Sequence, residues 1–203
     1  VGAGVITLSD PQGNRIEFYG FTQDGDDAQG QFKQYVDANG VVTTASYDAI
    51  EGTLSLSTER GTSTEAVEYT YSSAGQVTSA VLLKDDAPVQ EASYTYYGDD
   101  DPDGNEGDLK SVTITQSETE IETRYYRYHK PAAENGYARG LKFVFDGPAY
   151  RRLVAAKGDP ATLTDDQIDD YASAYYLYDT QGRVIRQTSQ RSGCSTMCGG
   201  LGT

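Results

Sequence analysis

Apolar and polar residues alternate in short runs along most of the first 146 positions, punctuated by Gly, Asn, Asp and Pro. A period of two places alternate side chains on opposite faces of an extended strand, and the punctuating residues favour turns. Residues 5–21 predict a hairpin about Asp10-Pro11-Gln12-Gly13-Asn14. A polar, glycine-rich loop follows at 22–31. Residues 32–46 predict a second hairpin about Asn39-Gly40, a strong short-turn dipeptide. Leu54 and Leu56 predict a half-buried strand within 47–60. Residues 65–83 form the clearest unit: Val67, Tyr69 and Tyr71 alternate with Glu68 and Thr70, a turn follows, and Val77 leads into the apolar run 80–83.

One phrase recurs. Residues 69–77 (YTYSSAGQV) and 176–184 (YLYDTQGRV) both read Tyr-x-Tyr-x-x-x-Gly-x-Val, matching Tyr69, Tyr71, Gly75 and Val77 with Tyr176, Tyr178, Gly182 and Val184. Tyr94 and Tyr96 open it again, and an acidic loop separates them from Leu109, Val112 and Ile114. Tyr126 and Tyr128 open it once more, with a polar loop before residues 140–145. A repeated strand–turn–strand phrase predicts a stack of units, none able to bury its apolar face alone. Insertions at the same point of each unit should collect on one side of the stack.

Residues 147–174 change period and predict a two-helix insertion. Pro148 suits a first helical turn, Tyr150, Leu153 and Val154 fall at helical spacing, and Gly158 suits a stop. Thr164 and Gln167 bracket a capping box, with Ile168 and Tyr171 as an apolar edge. The predicted fold is mainly β: antiparallel hairpin repeats stacked as a sheet or solenoid. The predicted divisions are repeats over 1–146, helices over 147–174, a final hairpin over 175–190 and a Gly/Cys-rich tail over 191–203.

Composition sharpens this. The 203 residues include 17 Tyr and 22 Gly but no Trp and a single His. Tyr buries a ring and keeps a polar tip, which suits strands. The net charge of −15 disfavours nucleic acid and anionic membranes as partners. No stretch approaches the ~20 apolar residues of a membrane helix. The chain starts without Met or a basic-then-apolar leader, so it reads as a segment of a longer polypeptide.

The residues Tyr178-Asp179-Thr180-Gln181-Gly182-Arg183-Val184 resemble the YD repeat of Rhs proteins, Tc-toxin shell components and teneurins. Asp10-Pro11-Gln12-Gly13-Asn14 is similar to the Asp-Pro-x-Gly-Asn turn between such repeats. Residues 36–42 match with Val in place of Tyr. The resemblance implies β-hairpin strips that spiral into a shell or tube, an extracellular or cell-surface location, and a structural or adhesive role. Some relatives cleave themselves at Asp-Pro-x-Gly-Leu. Here Gly13 is followed by Asn14, and no self-cleavage is expected.

Candidate chemistry is sparse. Calcium takes six to eight oxygens, and Asp99, Asp101, Asp103 and Asn105 offer them on a turn at Gly104. The twelfth position is Lys110 where an EF-hand loop has Glu, and the solvated-loop reading stands beside the calcium one. Asp24, Asp26 and Asp27 offer a smaller version. Cys194 and Cys198 read as a local disulfide or as two free thiols in a tail. His129, with no nucleophile motif, reads as a surface histidine. The repeat tyrosines read as rings packed across strands or as a platform for sugars; neighbours such as Tyr125-Tyr126 and Tyr175-Tyr176 must present one ring to each face.

The expected function is that of a non-enzymatic structural module of a bacterial surface or secreted protein, part of a β wall or fibre. A carbohydrate-binding adhesin module and a shell segment around a C-terminal toxin are the alternatives. Expected partners are flanking repeats, further copies of the chain, or glycans; no cofactor is expected, with calcium at the acidic loop as the alternative.

Overall fold

The computed structural model describes residues 4–21, 29–48 and 50–189. Thirteen strands lie in a sheet whose hydrogen-bonded order is the order of the chain. They are β1 (Val5–Ser9), β2 (Arg15–Tyr19), β3 (Phe32–Val36), β4 (Val42–Asp48), β5 (Thr53–Arg60), β6 (Ser63–Tyr71), β7 (Val77–Lys84), β8 (Ala87–Tyr96), β9 (Leu109–Gln116), β10 (Thr119–Tyr128), β11 (Leu141–Phe145), β12 (Ala174–Tyr178) and β13 (Val184–Ser189). The expected mainly β, antiparallel class is what forms. Two compact units divide inside β8, Val1–Ala92 and Ser93–Thr203. The tail with Cys194 and Cys198, and Asp24, Asp26 and Asp27, lie outside the described residues. No helix among the described residues is long and apolar enough to cross a membrane.

One turn is built four times. Asp10, Asp37, Ser72 and Asp179 each donate their amide to the carbonyl four residues on, at 3.1, 2.9, 2.8 and 2.9 Å. The glycine at the fourth position, Gly13, Gly40, Gly75 or Gly182, returns its amide to the first residue's carbonyl with φ between 75° and 94°. This is a type I turn closed by a left-handed residue, the three-residue hairpin loop in which glycine avoids the Cβ clash. The Asp10, Asp37 and Asp179 carboxylates each accept two further turn amides. Two other hairpins use tighter turns without glycine. Asp85-Asp86 and Ser117-Glu118 have both φ values positive, between 48° and 63°.

The repeat phrase also has a common register. Tyr71 faces Val77, Tyr128 faces Leu141 and Tyr178 faces Val184, each with a β-bulge immediately before the tyrosine. A bulge adds one residue and sharpens twist. The same distortion therefore recurs where the same phrase recurs.

The first unit is an amphipathic sheet. Along β4–β7, Tyr47, Leu54, Tyr69 and Ala80 form one cross-strand row, and Ala45, Leu56, Val67 and Leu82 form the next on the same face. The opposite face carries Ser46, Ser55, Glu68 and Val81, then Asp48, Thr53, Thr70 and Ser79. Such a sheet normally buries its apolar face under a second layer. Here Ala45 is the one buried apolar side chain among the described residues of the unit, and the others stay half-exposed or exposed.

The second unit has a core. Tyr125, Phe143, Phe145, Ala149, Leu153, Ile168 and Ala172 are buried together. The insertion supplies much of it: α1 (Gly147–Lys157) and the single turn α2 (Asp165–Ile168), with 3-10 turns at Pro160–Thr162 and Asp169–Tyr171. The second expected helix is thus only one turn long. Asp146 caps α1 by accepting from the Ala149 amide at 2.9 Å, and Gly158 ends it with φ of 87°. The Gln167 side chain accepts from the Thr164 amide at 2.8 Å, in the expected capping box. Val154, expected on the apolar edge with Tyr150 and Leu153, is instead exposed. Ala149 and Leu153, one turn apart, occupy the facing stripe, and Val154 sits about 100° around the helix from Leu153.

Candidate functional site

Three connections of the second unit follow one another at the same end of the strands: the loop 97–108, the loop 129–140 and the turn 179–183. The two loops are the expected insertions, at the same end as the uninterrupted turn; the helices leave from the opposite end. Asn105 reaches from the first loop to the His129 carbonyl at 3.2 Å, and the Tyr178 amide donates to the Asn135 carbonyl at 2.8 Å.

Arg127 on β10 joins the first of these loops to the helical insertion and is only 1% exposed. Its guanidinium bonds Asp103 of the first loop at 3.0 Å and Asp165 of α2 at 2.8 Å. It also donates to the Pro160 and Leu163 carbonyls at 2.7 Å each and to the Tyr125 hydroxyl at 3.2 Å. A planar fork with five donors suits such a buried junction, where an unpaired charge is expensive. Lys142 holds the other oxygen of Asp165. Burial pushes the Asp165 carboxyl up, but Lys142 and Arg127 more than reverse this and leave it below the ordinary carboxylate value. Asp103 is raised, chiefly by burial against the opposing pull of Arg127.

The acidic loop is braced by the protein's own cations. Lys130 donates to the Asp101 and Gly104 carbonyls at 2.8 Å each. Lys110 lies 3.5 Å from Asp101, whose other oxygen accepts the Gly98 amide at 2.8 Å. Asn105 donates its amide and its side chain to Asp108, which Arg139 bonds at 3.0 Å. Asp99 is exposed. Among the described residues no three His, Cys, Asp or Glu side chains converge to hold a metal ion. Asp99, Asp101, Asp103 and Asn105 are therefore spread along a cross-braced loop rather than gathered about a point.

His129, expected at the surface, is 3% exposed. Its Nε2 lies 3.0 Å from the Tyr176 carbonyl, and its ring stands edge-on to Tyr178 at 5.7 Å. The loop 129–140 folds back so closely that a Cβ on Gly136 would sit 2.2 Å from Nδ1. Burial lowers the imidazole pKa, so the ring is held neutral as a packed donor. Tyr97 is buried in the same way, donating to the Tyr126 carbonyl at 2.6 Å, with Gly104 pressed on its ring. Burial pushes the Tyr128 phenol up to about 12.

The phrase tyrosines divide between the two faces as alternation requires. Tyr125 and Tyr175 are on the helix side, Tyr175 stacked on Phe143 at 4.8 Å. Tyr126 and Tyr176 therefore lie on the other side. Thr95 bonds Ser111, which pairs with Tyr125, so Tyr94 and Tyr96 share the helix-free face with Tyr126. These four rings are half-exposed. Of the residues expected as repeat core, Tyr178 alone is buried. Tyr69, Tyr71, Val77 and Tyr128 are intermediate, while Gly75 and Val184 are exposed. Gly75 and Gly182 act through turn geometry, and β13, which carries Val184, has a single strand neighbour. Arg127, Lys142 and Asp165 were not singled out as site residues by sequence reasoning. An arginine inside the aromatic strand run Tyr125-Tyr126-Arg127-Tyr128 was the available signal. The chain matches no protein-family model and no curated protein.

Proposed function

We propose that this chain is a non-enzymatic structural module of a bacterial surface or secreted protein, a section of β wall or fibre made from YD-type hairpins. The observation that carries the reading is the apolar face of the first unit, where Leu54, Leu56, Val67 and Tyr69 stay half-exposed on a sheet that cannot bury them alone. A face of this kind marks an interaction surface. The fourfold turn and the threefold bulged register support a wall assembled from one unit. The charged groups around Arg127 support the same reading, because they are spent on one another rather than converging on an open cleft. Further repeats of the same polypeptide, or other copies of it, are the partners such a wall calls for.

A carbohydrate-binding adhesin module is the second reading. It rests on the half-exposed Tyr94, Tyr96, Tyr126 and Tyr176 on the helix-free face of the second unit. Two measurements on the full chain separate the readings. Single-molecule force spectroscopy of a wall section should show stepwise unzipping, with releases of about 20–50 residues. A glycan array should show no saturable binding. One all-or-none rupture would end the wall reading. Saturable oligosaccharide binding lost in Tyr126→Ala would replace it with the adhesin.

A further inference from the structure

The apolar face of β4–β7 is complementary to itself, and we infer that it packs against the same face of a second copy. The inference rests on the wall reading and names the partner of its uncovered face. The register fixes a block of two rows across four strands: Tyr47, Leu54, Tyr69, Ala80 and, beside it, Ala45, Leu56, Val67, Leu82. Its large and small residues are arranged diagonally. Tyr47 and Leu82 stand at two opposite corners, and Ala45 and Ala80 at the other two.

Consider a two-fold axis parallel to the strands, lying in the interface between β5 and β6. It sets β4 of one copy over β7 of the other, and β5 over β6. Tyr47 then meets Ala80 of the second copy, and Leu82 meets Ala45. In the middle, Leu54 meets Tyr69 and Leu56 meets Val67. Every large corner faces a small one, as an isologous contact between interdigitating sheets requires. A two-fold axis across the strands would instead set Tyr47 on Ala45 and Leu82 on Ala80, with Leu56 on Leu54 rather than on Val67, so the Leu56–Val67 contact is what distinguishes the pairing inferred here.

Charge is placed to permit this. The block itself holds no ionised group, and the next row on that face carries Glu65 opposite Lys84. Glu68 lies on the other face.

Size sets the strength. Four strands at ~4.8 Å and two same-face rows at ~6.8 Å give a footprint of roughly 260 Å² per copy. This is about a third of the ~800 Å² per partner in a standard interface, which places the contact in the weak, micromolar-and-above class. Repeated along a wall, such contacts add through avidity.

Sedimentation equilibrium of the full chain from about 1 μM to about 1 mM tests the inference, the range expected for contacts of this size. A reversible dimer is expected. Leu82→Glu, at a position already 38% exposed, should weaken it about tenfold or more. Ser79→Glu on the opposite face should leave it unchanged. Ala80→Tyr should also weaken the dimer, and Tyr47→Ala added to it should restore the dimer by exchanging the two corners. Where a variant loses its β circular dichroism, cross-linking decides instead. In a Cys194→Ser, Cys198→Ser background, a mixture of Leu56→Cys and Val67→Cys chains should form the mixed disulfide. A chain monomeric to 1 mM, a dimer indifferent to Leu82→Glu, or no mixed disulfide would overturn the pairing. Those results would leave the wall reading standing, with the face covered by other repeats. Saturable glycan binding would remove the wall reading instead.

Discussion

Leu56, Val67 and Tyr69 of the first unit lie half-exposed on a sheet, while Phe145, Leu153 and Ile168 of the second are sealed between a sheet and helices. Both regions are built from antiparallel hairpins with the same Gly-closed turn. They differ in what is placed on the sheet. The second unit carries its own cover, and Arg127 ties that cover and the acidic loop to β10. The first keeps its hydrophobic surface available. Backbone pairing and turn chemistry are therefore enough to specify a hairpin array, but a buried core has to be added by an insertion. Stability should be divided unequally between the two, and substitutions can break or sharpen that contrast.

The largest effect is expected from Arg127→Ala. It leaves Asp103 and part of Asp165 without their partner in a buried site, at a cost of about 3–5 kcal/mol. Hydrogen exchange should show the loss across β9–β12 and the helices, with protection in β4–β7 unchanged. Equal loss in both units would mean that the two do not hold themselves together independently.

Next comes a matched pair of truncations. Leu153→Ala removes a side chain that is 0% exposed and should cost about 2–5 kcal/mol, the range for buried leucines. Leu82→Ala removes the same atoms from a half-open surface and should cost under about 1 kcal/mol. Urea unfolding of the two variants measures the difference. Similar costs would show that the first unit's apolar face is already covered.

How much of this was legible in sequence follows from the range of each interaction. The Gly-closed turns are local. Asp179, Gln181, Gly182 and Arg183 make their bonds within five residues, so the phrase announced them. The repeat register was legible for the same reason, since Tyr71 and Val77 are six residues apart. Arg127 was not legible, because Asp103 and Asp165 come from 24 and 38 residues away. The acidic run suggested oxygens for calcium, but the cations that brace it, Lys130 and Arg139, arrive from the next loop. His129 was misread as exposed because what covers it, the fold-back at Gly136 and Tyr176 and Tyr178 of β12, comes from later in the chain. The turns at Asp85-Asp86 and Ser117-Glu118 carry none of the usual glycine or asparagine. There the strong pairing of the flanking strands imposes a conformation that the residues themselves disfavour.

Those two turns supply a third, smaller test. Asp86→Gly and Glu118→Gly each relieve a positive φ, near 62°, and should stabilise by about 1 kcal/mol. The gain should be alike in the two units, because a turn does not draw on the core. Thermal melts followed by exchange would show it. A gain confined to one unit would mean that these turns are coupled to more than their own hairpins.

The smallest effect is a pH dependence between pH 7 and 5 that is expected of the second unit alone. His129 is the single histidine of the chain, so the first unit has none. Burial holds its pKa below the ordinary 6.5, the neighbouring Lys142 adds to this, and the Tyr176 carbonyl and Asp165 pull the other way. A folded pKa below the unfolded one means that the unfolded chain takes up the proton first. The contribution is therefore fully present above pH 6.5 and is lost as pH falls from there toward the folded value. The carboxylates act lower. Asp165, depressed, loses its contribution as pH falls below the ordinary 3.8. Asp103, raised, acts in the opposite sense between its folded pKa and that value, since acid relieves its buried charge. Between pH 7 and 5 hydrogen exchange should therefore report weakening in the loop 129–140 and β12, with β4–β7 unmoved. His129→Gln, which keeps a donor for the Tyr176 carbonyl, should remove the dependence without reproducing the acid-weakened state. If the dependence survives that substitution, the buried imidazole is not the group that senses acid, and the contrast between the units must be carried by the Arg127 junction alone.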